Sequence, residues 1–265
     1  SRSDSTLRGH YPLETIIHKE EYEKNTGNKI DGEILCPFFK EGGRYTIDDV
    51  HYVRYGDTLV PAAETEFAKD KTFGYTVSDL KEYVEEKTGG VYKKENVTAI
   101  SLKDIRALAF DKIEEQLMAV EDFNKIVVNA IDYVDVKIFC VALYRAMAKG
   151  KTFMFRTAAA IVKVMGGVSD QPLLTREQMV VKETDNGGVI VIGSHTEKTT
   201  RQMEMLKEIP DIAFVELNAR LVRDEAAFAR EVERCLALEE EYISSGRTVC
   251  VYTTRTLITA DTGDK

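Results

Sequence analysis

Short β-branched runs alternate with helical stretches along this chain, and the alternation occurs in two sets. Strands that follow one another through a helix pair in parallel, so the pattern selects an α/β fold with mainly parallel sheets flanked by helices. In the first set, residues 33–37 read as a strand entering a loop, and 125–130 as a second strand. The second lies between helical stretches at 102–120 and 134–149. The latter carries Ile138, Val141, Leu143, Tyr144 and Met147 near the helical period. A third strand at 152–155 runs into Arg156, Thr157 and the Ala-rich helix start at Ala158. Gly166-Gly167-Val168-Ser169-Asp170-Gln171-Pro172 is a turn-rich break, and 173–188 carries no strand. The second set has strands at 189–192, 213–217 and 248–252, with helices at 199–209 and 224–244. The expected organisation is a first domain over 1–165, a linker over 166–188 and a second domain over 189–265. The second has few strands for an independent α/β domain and reads as unfinished, and the first reads as lacking its beginning, so both are expected to be incomplete.

The 265 residues are 43% hydrophobic, enough for buried cores, and no apolar run nears the ~20 residues of a membrane span. The net charge of −9 argues against nucleic acid as a partner, since phosphate binding needs clustered Lys and Arg. The N-terminus has neither an initiator Met nor a hydrophobic signal core, and the expected location is cytoplasmic. Cys36, Cys140, Cys235 and Cys250 lie far apart, without zinc spacing, and read as reduced thiols packed as small hydrophobes; no metal ligands are assigned.

Three segments carry candidate chemistry. Ser3-Asp4-Ser5-Thr6-Leu7-Arg8-Gly9-His10 gathers hydroxyls, a carboxylate and a guanidinium around a glycine. Arg8 offers paired donors for a carboxylate or phosphate, and Gly9 permits close backbone approach. Pro12 and Glu14 suit a helix start behind this loop. A polar tail with an exposed Arg is the competing reading. In the second segment, Gly42-Gly43-Arg44 follows a strand and suits either an anion nest or an ordinary hairpin. His51, in Val50-His51-Tyr52-Val53-Arg54, reads as a structural histidine in a strand. In the third, Gly193-Ser194-His195 joins a strand to a helix capped by Thr199 or Thr200, where α/β proteins bind nucleotides; neither a Walker A nor a GxGxxG sequence is present. Asn129 and Asp132, like Arg156 and Thr157, sit at strand ends, either lining a cleft or capping helices.

Taken in order, Asp4-Ser5-Thr6-Leu7-Arg8-Gly9, Gly42-Gly43-Arg44-Tyr45-Thr46, Val50-His51-Tyr52-Val53, Glu64-Thr65-Glu66-Phe67-Ala68-Lys69-Asp70, Phe155-Arg156-Thr157 and Gly193-Ser194-His195 resemble the four-carbon acid sugar kinase family. The resemblance covers nearly the whole chain. It implies ATP-dependent phosphorylation of threonate, erythronate or 3-oxo-tetronate, with Mg²⁺, by an acid-sugar-binding domain followed by a nucleotide-binding domain, and it admits a homodimer. By resemblance, Asp4, Ser5, Thr6, Arg8 and Gly9 face the sugar acid, Arg8 pairing with its carboxylate. Gly43, Arg44, Arg156 and Thr157 line the cleft, and Gly193 and Ser194 contact ATP. No catalytic base is assigned. The family's opening Asp-Asp-x-Thr-Gly-Ala and late Gly-Gly-x-Thr-Ser motifs do not occur here. The expectation is therefore the middle part of a family member with both ends missing, inactive by itself. The alternative is a sugar-acid-binding module or decayed paralogue that transfers no phosphate.

Overall fold

The structure is a computed structural model that describes residues 3–180 and 184–256. The chain forms two compact units, the first ending at Gln171 and the second beginning at Pro172. In the first unit the strands are β1 (Gly32–Cys36), β2 (Arg44–Ile47), β3 (Val50–Tyr55), β4 (Thr58–Pro61), β5 (Thr98–Ile100), β6 (Asn124–Val128) and β7 (Phe153–Thr157). Its helices are α1 (Leu13–Thr26), α2 (Leu80–Lys87), α3 (Leu102–Arg106), α4 (Phe110–Met118), α5 (Tyr133–Ala148) and α6 (Ala159–Met165). A parallel sheet of order β5-β6-β1-β7 is its frame. An antiparallel β2-β3-β4 meander is attached where the carboxyl ends of the frame emerge, with Thr46 bridging to Ala130 just past β6.

The alternation of side chains sorts β1, β6 and β7 onto two faces. Ile34, Cys36, Ile126 and Val128 pack with Ile113, Leu117, Val136, Phe139 and Leu143 from α4 and α5. Leu35 and Val127 pack on the other face with Leu7, Tyr11, Leu80, Tyr83 and Val84. That second face also holds charge. Glu33 and Lys125 are cross-strand partners, both fully buried, with Nζ 2.6 Å from Oε2. Lys125 Nζ also lies 3.6 Å from the centre of the Phe123 ring and 4.2 Å from that of Tyr92, so aromatic faces replace part of its lost hydration.

Two sequence expectations change here. The single helix expected over 102–120 is two helices, because Leu108 takes a positive φ of 54° between them, with no Gly or Pro to signal the break. On α5 the buried stripe is Val136, Phe139, Cys140, Leu143 and Ala146. Val141, Tyr144 and Met147, expected on the inner face, are exposed.

In the second unit, β8 (Val189–Ile192), β9 (Ala213–Leu217) and β10 (Val249–Thr253) form a parallel sheet of order β8-β10-β9. Its helices are α7 (Arg176–Met179), α8 (Glu197–Lys207) and α9 (Glu225–Ser244), the last capped by the Asp224 carboxylate on the Ala227 amide. Ala213, Val215 and Val249 pack with Cys235 of α9. Gly187 belongs to this unit: its amide donates to the Ile243 carbonyl, and a Cβ there would stand 1.8 Å from the Arg247 carbonyl oxygen, so only glycine fits. The chain is thus α/β, two domains of mainly parallel sheet flanked by helices. All four cysteines are buried and unbridged, and burial pushes the Cys36 and Cys140 thiols up to about 12. Among the described residues no helix is long and apolar enough to cross a membrane.

The Glu33–Lys125 pair generates a stability test. Lys125→Met leaves a carboxylate buried without its partner and is expected to cost ~3–5 kcal/mol in urea unfolding, as removal of one member of a buried pair does. Glu33→Leu combined with Lys125→Met should recover most of that loss. An unchanged unfolding midpoint for the single variant would show that the pair contributes nothing.

Candidate functional site

The segment ahead of α1 returns to the carboxyl end of the first sheet, where the Ser3 amide donates to the Thr157 carbonyl of β7 at 2.8 Å. From there Asp4 to Gly9 forms a compact loop. Thr6 is buried and its hydroxyl donates to the Asp4 carboxylate. Arg8 Nε donates to the same carboxylate at 2.8 Å. Burial would raise the Asp4 carboxyl, but these donors and the Arg8 charge outweigh it and hold the group below the usual carboxylate range. Asp4 is therefore an anion that orients Arg8. Gly9 has a φ of 138°, a conformation that L side chains rarely adopt.

Arg8 is not alone. Its guanidinium carbon lies 5.0 Å from the centre of the Phe67 ring, and that of Arg44 lies 5.5 Å from the same ring. Arg8 Nη1 is 4.0 Å from the Asp70 carboxylate. Arg44 begins β2 directly after Gly43, whose carbonyl accepts from the Arg54 amide at 2.8 Å. Arg44 bonds the Gly42 carbonyl, while its Nε is shielded from solvent and meets no acceptor among the described residues. The DSTLRG, GGR and ETEFAKD segments, distant in sequence, thus form one cluster of two cations, two carboxylates and an aromatic ring. Such a cluster can take a small anion that also carries hydroxyls.

Arg156 and Thr157, expected to line a cleft, are instead buried within β7. Arg156 donates to Glu14 at 3.1 Å and lies 4.4 Å from the centre of the Tyr11 ring, with Nη2 3.4 Å from the Leu7 carbonyl. It stands behind the loop, tying it to the sheet and to α1. Asn129 pins the meander: its side chain donates to Asp49 at 2.7 Å and accepts from the Asp49 amide at 2.8 Å.

In the second unit, Gly193, Ser194 and His195 follow β8. A Cβ on Gly193 would meet nothing within 4 Å, so the backbone there is open to a ligand. The Ser194 carbonyl accepts from Arg255 Nη1 at 2.6 Å, and its hydroxyl accepts from Thr199 at 3.1 Å. Thr199 and Thr200 do not cap the helix as expected: α8 starts at Glu197 with Thr196 at the N-cap position, and the threonine hydroxyls serve the loop instead. A cavity of about 490 Å³ opens beside the loop at the strand ends, lined by Gly193, His195, Leu217, Val222, Phe228 and Thr253. A wider groove of about 710 Å³ runs past Glu216, Arg220, Glu231 and Arg234, where Arg234 and Glu231 pair at 2.7 Å. The strand-end cavity is the one with apolar walls and an open glycine, and it occupies the usual ligand position of a parallel sheet. Its Leu217, Val222 and Phe228 wall was not singled out in the sequence. Among the described residues no group of three His, Cys, Asp or Glu side chains is placed to hold a metal ion.

His51 supplies a pH test. It is fully buried in β3, with Nε2 2.8 Å from the Ser5 carbonyl and Nδ1 3.0 Å from the Thr46 hydroxyl. A carbonyl only accepts, so Nε2 carries the proton and Nδ1 takes one from Thr46. Burial, with the Arg44 charge, lowers its pKa to about 4 from 6.5, against the raising effects of its carbonyl bond and of Asp4. The unfolded chain therefore binds a proton that the folded chain refuses. Stability should be full above pH 6.5 and fall as pH drops, by about 3 kcal/mol at pH 4. His51→Gln should flatten that part of the profile in urea titrations; an identical slope in the variant would count against this assignment.

Comparison with known proteins gives both units a context. The sequence model of a sugar-binding N-terminal domain matches residues 1–165, and that of a nucleotide-binding C-terminal domain matches 189–265. No curated protein matches the chain. Among solved structures, a Salmonella typhimurium LT2 protein provisionally named a tRNA synthase superposes with a TM-score of 0.59 at 13% identity, over 96% of this chain and 55% of its own. A Haemophilus influenzae protein of the DUF1537 family gives 0.49 at 15% identity, over 95% and 55%. A DUF1537 domain from Bordetella bronchiseptica, a domain-swapped dimer with bound citrate, gives 0.41 at 18%, over 97% and 54%. The chain spans about half the length of these structures. The match over most of its length is decisive: the chain belongs to the family that joins a sugar-binding N-terminal domain to a nucleotide-binding C-terminal domain.

Proposed function

We propose that the protein is an ATP-dependent kinase of a four-carbon sugar acid: threonate, erythronate or 3-oxo-tetronate. The observation that carries this reading is the pair of guanidinium groups on Phe67, one oriented by Asp4 and the other with an orphaned Nε. A carboxylate pairs with the terminal guanidinium nitrogens of Arg8 and Arg44, while Asp4 and Asp70 accept hydrogen bonds from the hydroxyls of the same ligand. A neutral sugar offers no paired acceptor to two adjacent guanidinium groups, so the acid is the preferred class.

The nucleotide belongs to the second unit. Ser194 and the open backbone at Gly193 meet its phosphates, and the Leu217, Val222 and Phe228 wall suits an apolar base. Mg²⁺ enters as the ATP complex, held chiefly by phosphate oxygens and water, which calls for no dedicated cage of protein ligands. When bound it neutralises the charge that develops on the transferred phosphoryl group. Arg8 and Arg44 fix the acid by its carboxylate and so set which hydroxyl is presented for transfer.

Two measurements test this. Arg8→Ala should weaken threonate or erythronate binding about 10–100-fold in calorimetry, the value of a charged hydrogen-bonded contact, and leave nucleotide affinity as it was. This stretch is expected to be inactive by itself, and phosphorus NMR that shows the γ-phosphoryl group of ATP transferred to one of the three acids would overturn that expectation. Acid binding with neither nucleotide binding nor transfer would replace the kinase reading with a binding module.

A further inference from the structure

The loop that carries Asp4 and Arg8 has an unusual backbone environment. Three successive carbonyls each receive a buried side-chain donor from a different part of the fold. His51 Nε2 of β3 donates to the Ser5 carbonyl at 2.8 Å, the Tyr75 hydroxyl to that of Thr6 at 2.8 Å, and the Tyr83 hydroxyl of α2 to that of Leu7 at 2.7 Å. Tyr83 and His51 are fully buried and Tyr75 is 4% exposed. Burial drives both phenols upward, Tyr83 to about 12, so both remain O–H donors. Leu7 itself has a φ of 68°, and its side chain is buried against Leu80, Tyr83 and Val84.

A surface loop ordinarily leaves such carbonyls to water. Here none of the three joins a strand or helix ladder, yet all are paired inside the protein. The donors bond the backbone of the loop, and Asp4 and Arg8 extend from that same backbone as side chains. With the backbone fixed, the ligand need not order the loop on binding, which is the usual way preorganisation raises affinity.

We infer that His51, Tyr75 and Tyr83 are positioning residues of the sugar-acid site, holding the carbonyls of Ser5, Thr6 and Leu7 so that Arg8 meets the ligand already in place. The inference rests on the reading of Arg8 and Arg44 as the anion site. Its readouts are ligand affinity and local backbone exchange.

The experiment titrates threonate and erythronate into wild type, Arg8→Ala, Tyr75→Phe, Tyr83→Phe, His51→Leu and His51→Gln, and follows amide hydrogen exchange in the ligand-free proteins. Loss of one clamp should weaken the acid about tenfold and speed exchange at residues 4–9, with protection in β1 and β6 unchanged. His51→Gln, which keeps a donor for the Ser5 carbonyl, should bind within about threefold of wild type. Clamp variants that bind as wild type while Arg8→Ala does not would overturn the positioning role and spare the anion site. Affinity that falls only together with β1 and β6 protection would assign these residues to the fold and also overturn it. If Arg8→Ala binds as wild type while the clamp variants weaken, the anion-site reading fails and the clamp stands; if wild type binds neither acid, both fail.

Discussion

Burial of charge beside the central parallel strands is the constraint from which the first unit follows. A strand covered on both faces normally reads as an apolar run, yet β1 carries Glu33, β6 carries Lys125 and β7 carries Arg156, all on one face. None can remain there unless the register is kept. A slip of β1 by one residue would move Glu33 from Lys125, put the carboxylate among the aliphatic side chains packed under α4 and α5, and leave the ammonium buried without its partner. The charges therefore specify the pairing, and the pairing brings Arg156 to the position from which it reaches Glu14, Tyr11 and the Leu7 carbonyl. The loop at the front is tied to the charge layer behind it.

The two units use the carboxyl ends of their strands differently. In the second, the loop after β8 is held by hydroxyls and by Arg255, and the cavity beside it has apolar walls. In the first, the strand ends are overbuilt by the meander, and the charged cluster is assembled from the meander, the Asp4–Gly9 loop and the short segment around Phe67. The parallel sheet contributes support to that cluster, and the added elements contribute its chemistry.

Much of this was legible in the sequence, for identifiable reasons. Residues 189–192 are a β-branched run and 213–217 a short, mainly apolar one, both bounded by turn residues, and the pattern delimits them. Arg8 and Arg44 stood out in the sequence because each adjoins a glycine in a polar segment, a signature that an ordinary hairpin or tail shares. Arg156 was misplaced because a strand-end arginine has the same local signature whether it faces a cleft or is buried. Only Glu14, more than a hundred residues away, distinguishes the two. The inner face of α5 was misread for a related reason: Val141, Tyr144 and Met147 also satisfy the helical period, and the choice of face is made by Ile113 and Leu117 on α4. The roles of Tyr75 and Tyr83 were not legible at all, since a phenol that bonds a distant carbonyl leaves no mark in its own neighbourhood.

The meander has one more consequence. Arg44, His51, Phe67, Asp70 and Tyr75 all lie between the end of β1 and the start of α2, a stretch that contributes no strand to the parallel sheet. Sheet register is fixed by residues outside it. The charged cluster is thus carried by the meander, the segment around Phe67 and the loop ahead of α1, all outside the parallel sheet that they stand on.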